Sequence, residues 1–145
     1  MKRILFLLSL SLSVALYAAT SSLPANTIAQ DSPAEKLMTR LLDVVKSGNA
    51  ATAQQLVRAT YCPPCLQHVL METHMAVLTA LQKEFKDHSI VQQKTKGLST
   101  AVLLQSTVSK KFKLLRLEAD KNNLQKIFDV SAKDFTGDPS MPLSL

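Results

Sequence analysis

The only two cysteines in the chain stand three apart, as Cys62-Pro63-Pro64-Cys65, where the sequence reads as the start of a helix. Three chemistries fit that spacing. In an oxidising compartment, two thiols with no other partner join to each other. So short a loop makes this a weak staple, about 2 kcal/mol by the chain-entropy model. The same pair could exchange disulfides, because a helix N-terminus lowers a thiol pKa and frees the thiolate. It could also hold a metal. Cys62, Cys65 and His68 are spaced so that a loop cysteine, a first-turn cysteine and a residue one turn on converge. Glu72 lies a further turn along, and zinc or copper accepts such ligands.

A helix is expected to carry this motif. Proline has no N–H to lose in a first turn, and its fixed φ suits the first helical positions. Pro63 precedes another proline and is pushed toward extended geometry, which makes Pro64 the expected first residue. At 100° per residue, Leu66, Leu70, Met71, His74, Val77, Leu78, Leu81 and Phe85 fall in an arc of about 140°. One continuous core-packing helix to about Lys86 follows. His74, mid-arc among leucines, reads as a core histidine rather than a copper ligand beside Met71 and Met75. His88 sits in a loop without a visible partner.

Ahead of the motif the chain opens on Lys2-Arg3 and the apolar run Ile4 to Leu16. That run is shorter than the roughly 20 residues a bilayer span needs, so residues 1–19 read as a signal peptide cleaved after Ala18 or Ala19. The protein is accordingly expected to be periplasmic or secreted. Residues 20–31 are polar and aperiodic and read as a disordered leader. Ser32-Pro33-Ala34-Glu35 is a capping box with proline at the first helical position. The helix it opens should place Leu37, Met38, Leu41, Leu42, Val44 and Val45 on one face and stop at Gly48. Asn49 can cap a shorter helix, about Ala50 to Ala59.

The formal charge is +6, and loss of Lys2 and Arg3 with the signal leaves +4. That mild balance does not argue for nucleic acid. With only 3 glycines, phosphate-cradling loops are not expected, and no cofactor site is legible. Lys94, Lys96, Lys110, Lys111, Lys113 and Arg116 form a basic run. Lysines at a sheet edge discourage strand addition; the same run would also suit an anionic partner.

From Ser89 the period changes to that of strands. Ser89–Thr95, Ser99–Val108, Lys111–Glu118 and Leu124–Ser131 are strand-like, and the short links between them favour antiparallel neighbours. Leu103-Leu104 and Leu114-Leu115 put apolar side chains on both faces. This predicts a sheet covered by helices on one side and partly covered on the other. The expected core sets Leu37, Leu41, Leu42, Val45, Leu70, Val77, Leu78, Leu81 and Phe85 against Val102, Leu104, Phe112, Leu114 and Phe128.

Two family resemblances rest on these residues. The layout from Ser32-Pro33 through Lys46-Ser47-Gly48-Asn49 to the closing hairpin, Phe112–Glu118, Asp120-Lys121-Asn122 and Leu124–Val130, resembles small exported domains of the nuclear-transport-factor-2-like superfamily. That resemblance implies helices packed in the concavity of a curved, cone-like sheet, and often a homodimer across the sheet. Ala59-Thr60-Tyr61-Cys62-Pro63-Pro64-Cys65 resembles the active-site segment of thioredoxin-like proteins. There the first cysteine, here Cys62, would be the nucleophile, and Cys65 would resolve the mixed disulfide.

The sequence thus predicts one exported α+β domain over residues 32–135: N-terminal helices on a curved four-stranded antiparallel sheet, then an irregular tail, 136–145. The expected function is that of a non-catalytic binding module. A thiol–disulfide oxidoreductase using Cys62 and Cys65 is the alternative, and a metal-binding protein a further one.

Overall fold

The capping box forms as the sequence leads one to expect. In the computed structural model, which describes residues 32–145, Ser32 Oγ accepts the Glu35 N–H at 3.2 Å. Glu35 Oε2 accepts the Ser32 N–H in return, at 2.7 Å. Two orphan donors of the first turn are thereby satisfied. The signal peptide and leader expected over residues 1–31 lie outside the described residues. Helix α1 runs Pro33–Ser47 and ends at Gly48, whose φ of 62° favours a residue without a side chain. Helix α2, Ala50–Thr60, is capped by the Asn49 side chain on the Ala51 N–H at 2.8 Å.

The expected single helix after Cys62 is two helices. α3 spans Pro63–His68 and α4 spans Met71–Phe85, with Val69 and Leu70 extended between them. Cys62 is the N-cap and Pro63, not Pro64, takes the first helical position. The prolines suit a first turn in either register, so local chemistry does not separate the two. The break has no proline or glycine to announce it. It arises because the two halves answer to different partners. α3 is pinned at its start by contacts to the sheet, and α4 packs along α1 and α2. Leu70 becomes an exposed N-cap residue, and Val77 lies at the margin of a narrower buried stripe. That stripe is Leu78, Leu81, Gln82 and Phe85. Gln82 is polar yet buried, because its Nε2 donates to Val44 O at 2.9 Å and Asn49 O at 3.1 Å. It serves a carbonyl that α1 leaves open at its C-terminus.

Four strands follow: β1 His88–Lys96, β2 Ser99–Ser106, β3 Phe112–Asp120 and β4 Asn123–Asp134. They form one antiparallel sheet in the order β1-β2-β3-β4, with irregularities between Ile90 and Gln92 and near Ala119. The protein is therefore α+β, with its helices ahead of the sheet. Val102 pairs with Leu115 and Thr100 with Leu117. Because side chains alternate in a strand, this register turns Val102, Leu104, Leu115, Leu117 and Ala119 toward the helices. There they close on Leu37, Met38, Leu41, Val45, Leu78, Leu81 and Phe85 in one continuous core. Each leucine buried here contributes about 1.5–3 kcal/mol of transfer free energy.

Besides Leu70 and Val77 of α4, three core residues expected from the strands lie elsewhere. Phe112 and Leu114 have the opposite parity and face away from the helices. Phe128 is 54% exposed at the β4 irregularity. With Leu114-Leu115 apolar on both faces, the sequence left either parity open, and pairing with β2 decided it.

The outer face of the sheet is covered in part by the chain's own tail, which has no helix or strand of its own. Leu143 is buried against Ala101 and Leu103, with Phe112, Leu114 and Phe135 around it.

Candidate functional site

The cysteine motif sits where α2 ends and meets an edge of the sheet. Tyr61 forms a parallel bridge with Ile127 of β4, and the Cys62 N–H donates to Ile127 O at 2.9 Å. The Lys126 ammonium donates to Ala59 O at 2.6 Å on the same edge. These bonds anchor the segment before α3 starts. Cys62 and Cys65 are joined in a disulfide with Cα atoms 5.2 Å apart. Cys62 Sγ also accepts the Cys65 N–H at 3.1 Å, so the sulfur acts as the helix N-cap. Cys62 is 3% exposed, and Cys65 is partly exposed.

Beside the disulfide segment lies an aromatic pair. The rings of Tyr61 and His74 are 4.4 Å apart and tilted by 58°. Burial, and then the nearby Asp129 carboxylate, push the Tyr61 hydroxyl well above its usual range. Burial pushes the His74 imidazole down, with Asp129 acting against it. His74 Nε2 is buried without a hydrogen-bond partner. Instead of the satisfied core histidine expected, His74 is half-buried at the core's margin and packed on Tyr61, a contact that nothing in the spacing of the two residues signals.

His68, the third residue of the expected metal set, is the last residue of α3 and is exposed. Both candidate sulfurs are engaged in the disulfide, so neither presents a thiolate. Among the described residues, no three His, Cys, Asp or Glu side chains are grouped to hold a metal ion.

The basic run is divided by the pleat. Lys94 and Arg116 stand in one row on the outer face, each opposite Ala101. Their charged ends are spent on the tail: Lys94 Nζ donates to Leu143 O at 2.8 Å and Arg116 to Ser144 O at 3.0 Å. Lys113 has the other parity and pairs with Asp134 at 2.8 Å and Glu84 at 3.7 Å, above the ring of Phe85. Lys111 reaches Glu84 at 3.5 Å. Lys110 occupies the β2–β3 turn with φ of 60°, and Lys96 ends β1. The six cations do not form one patch.

A cleft of about 600 Å³ opens where the end of α4 meets the β2–β3 hairpin. Lys83, Lys86, Glu84 and Asp87 give it mixed charge, and Gly48 lies at its wall. Glu84 is held by two lysines, and no paired acid and base converge there. Between helices and sheet the buried side chains form one continuous apolar cluster.

Fold and site together define an α+β domain with a disulfide closing the first turn of a short helix, whose N-cap residue is hydrogen-bonded to the edge strand β4. Compared with protein-family models, curated proteins and solved structures, the chain matches none.

Proposed function

We propose that the protein is an exported, non-catalytic binding module, with its Cys62–Cys65 disulfide serving structure. The observation that carries this reading is the position of Cys62: 3% exposed, capping α3 with its sulfur and bonded through its N–H to β4. A nucleophilic cysteine must present its sulfur to a substrate disulfide. This one is turned into the join between helix and sheet. Export is supported by the basic and apolar start of the sequence and by the paired cysteines. Among the described residues, no helix is long and apolar enough to cross a membrane. The order of helices before a four-stranded meander supports kinship in layout with nuclear-transport-factor-2-like domains. Members of that superfamily include binding modules as well as enzymes, so the layout alone does not decide.

One observation favours the thiol–disulfide alternative: after reduction, the bond from the Cys65 N–H to Cys62 Sγ would stabilise a thiolate. Against it, Cys62 follows a helix, α2, and no proline between Pro64 and Pro139 can line a substrate groove. An insulin-reduction assay separates the two. The binding-module reading predicts turnover no faster than dithiothreitol alone. Thioredoxin-like turnover that Cys62→Ser abolishes would replace it with the oxidoreductase.

A further inference from the structure

We infer that the outer face of the sheet is a recognition groove for a leucine-anchored segment of a partner polypeptide, and that residues 139–145 occupy it as a built-in competitor. This rests on the reading of the protein as a binding module and names the surface and the kind of partner.

The tail is held as a bound peptide is held. Its bonds to the sheet go to main-chain atoms of the tail and come from side chains of the sheet. Gln92 Nε2 donates to the carbonyls of Pro139 and Met141, and Gln92 Oε1 accepts the Leu143 N–H at 3.2 Å. Lys94 and Arg116 take two further carbonyls, those of Leu143 and Ser144. Such contacts read the main chain, here a turn over 138–141 and the four residues after it, and are indifferent to most side chains. Selectivity falls to one position, Leu143, 6% exposed among Ala101, Leu103, Phe112 and Leu114. Main-chain bonds that give affinity and one apolar pocket that gives specificity are the division of labour in peptide grooves.

Around the Leu143 anchor the tail leaves part of its surface open. Met141 is 62% exposed and Leu145 36%. A cavity of about 190 Å³ remains between Pro142 and Leu143 and the side chains of Leu114 and Phe135. The segment departs from β4 through Thr136 and Gly137. It is redirected by Asp138, whose carboxylate accepts the Ser140 N–H at 2.8 Å and hydroxyl at 2.7 Å. That turn sets the tail on its groove without adding a strand to the ladder. A tether this short holds its ligand at an effective concentration on the order of millimolar. A free segment with a dissociation constant of about 10 µM would then bind the full chain on the order of 100-fold more weakly than a chain with its tail displaced.

The test uses the full chain and Leu143→Asp, which removes the anchor of the resident tail. The probe is a fluorescent peptide of the sequence 138–145, with a control peptide carrying aspartate in place of its leucine at 143. Binding is read by anisotropy. The expected result is that the probe binds Leu143→Asp and binds the unaltered chain at least 10-fold more weakly. Arg116→Ala added to Leu143→Asp should weaken probe binding, and the control peptide should not bind. Equal affinity for both proteins would overturn the proposal, as would no binding to a folded Leu143→Asp. If Leu143→Asp fails to fold by circular dichroism, the tail is an obligatory part of the core and the proposal also falls. Insulin inertness together with a silent probe would remove this groove while leaving the binding-module reading in place.

Discussion

Leu78 and Val77 are neighbours in α4, are both apolar, and should respond very differently to truncation. Leu78 is 1% exposed in the main core; Val77 is 37% exposed. Leu78→Ala removes three buried carbons, about 2.4 kcal/mol at 0.8 kcal/mol each. The cavity left behind adds to this, so the loss should fall at about 3 kcal/mol, within the range for buried leucines. Val77→Ala removes two carbons already partly wet, about 1 kcal/mol, and alanine's better helix propensity returns about 0.5 kcal/mol. The contrast should be visible in urea melts fitted with a common slope, and in a midpoint temperature drop on the order of 10 °C for Leu78→Ala alone. If Val77→Ala costs as much as Leu78→Ala, the buried stripe of α4 is wider than described. The break at Val69–Leu70 would then be misplaced.

Other consequences follow from the same structure. Cys62→Ser/Cys65→Ser should cost about 2 kcal/mol, because the loop is short and serine at 62 can still cap α3; dithiothreitol should shift the urea midpoint of the unaltered protein by the same amount. Glu35 accepts the Ser32 N–H and then the Thr95 hydroxyl, which hold its carboxyl below its ordinary value of 4.5. A depressed carboxyl contributes stability above that ordinary value and loses it as pH falls through the folded-state value. Glu35→Ala should lose the reciprocal capping-box bond, about 0.5 kcal/mol at pH 7 after screening by solvent, and flatten the acid limb of a stability–pH curve. Lys110 has φ of 60° in the β2–β3 turn; Lys110→Gly should raise stability by about 0.5 kcal/mol in urea melts, since glycine adopts this conformation without strain.

How much of this was legible depended on whether the cause was local. The capping box at Ser32, the stop at Gly48 and the cap at Asn49 are decided by residues three or four apart. Each forms as the sequence implies. The four strands and their antiparallel order follow from period and short links, with the bounds displaced by a few residues. What failed needed distant partners. The split of the long helix depends on Tyr61 and Cys62 meeting Ile127, a contact across more than sixty residues. The choice of Leu115 over Leu114 for the core depends on register with β2. Apolar residues on both faces did signal a second covering layer. That the layer is the chain's own tail was not legible, because Gln92, Lys94 and Arg116 carry no pattern that points to carbonyls near residue 143.

The central claim is that Cys62 is a structural cysteine. The most direct measurement is the order of alkylation of the two thiols, after reduction under native conditions with a phosphine and a timed exposure to iodoacetamide, read by peptide mass spectrometry. Buried and capping α3, Cys62 should react more slowly than the partly exposed Cys65 across pH 6–8. Faster reaction at Cys62, persisting below pH 7, would show an exposed, activated thiolate and contradict the account.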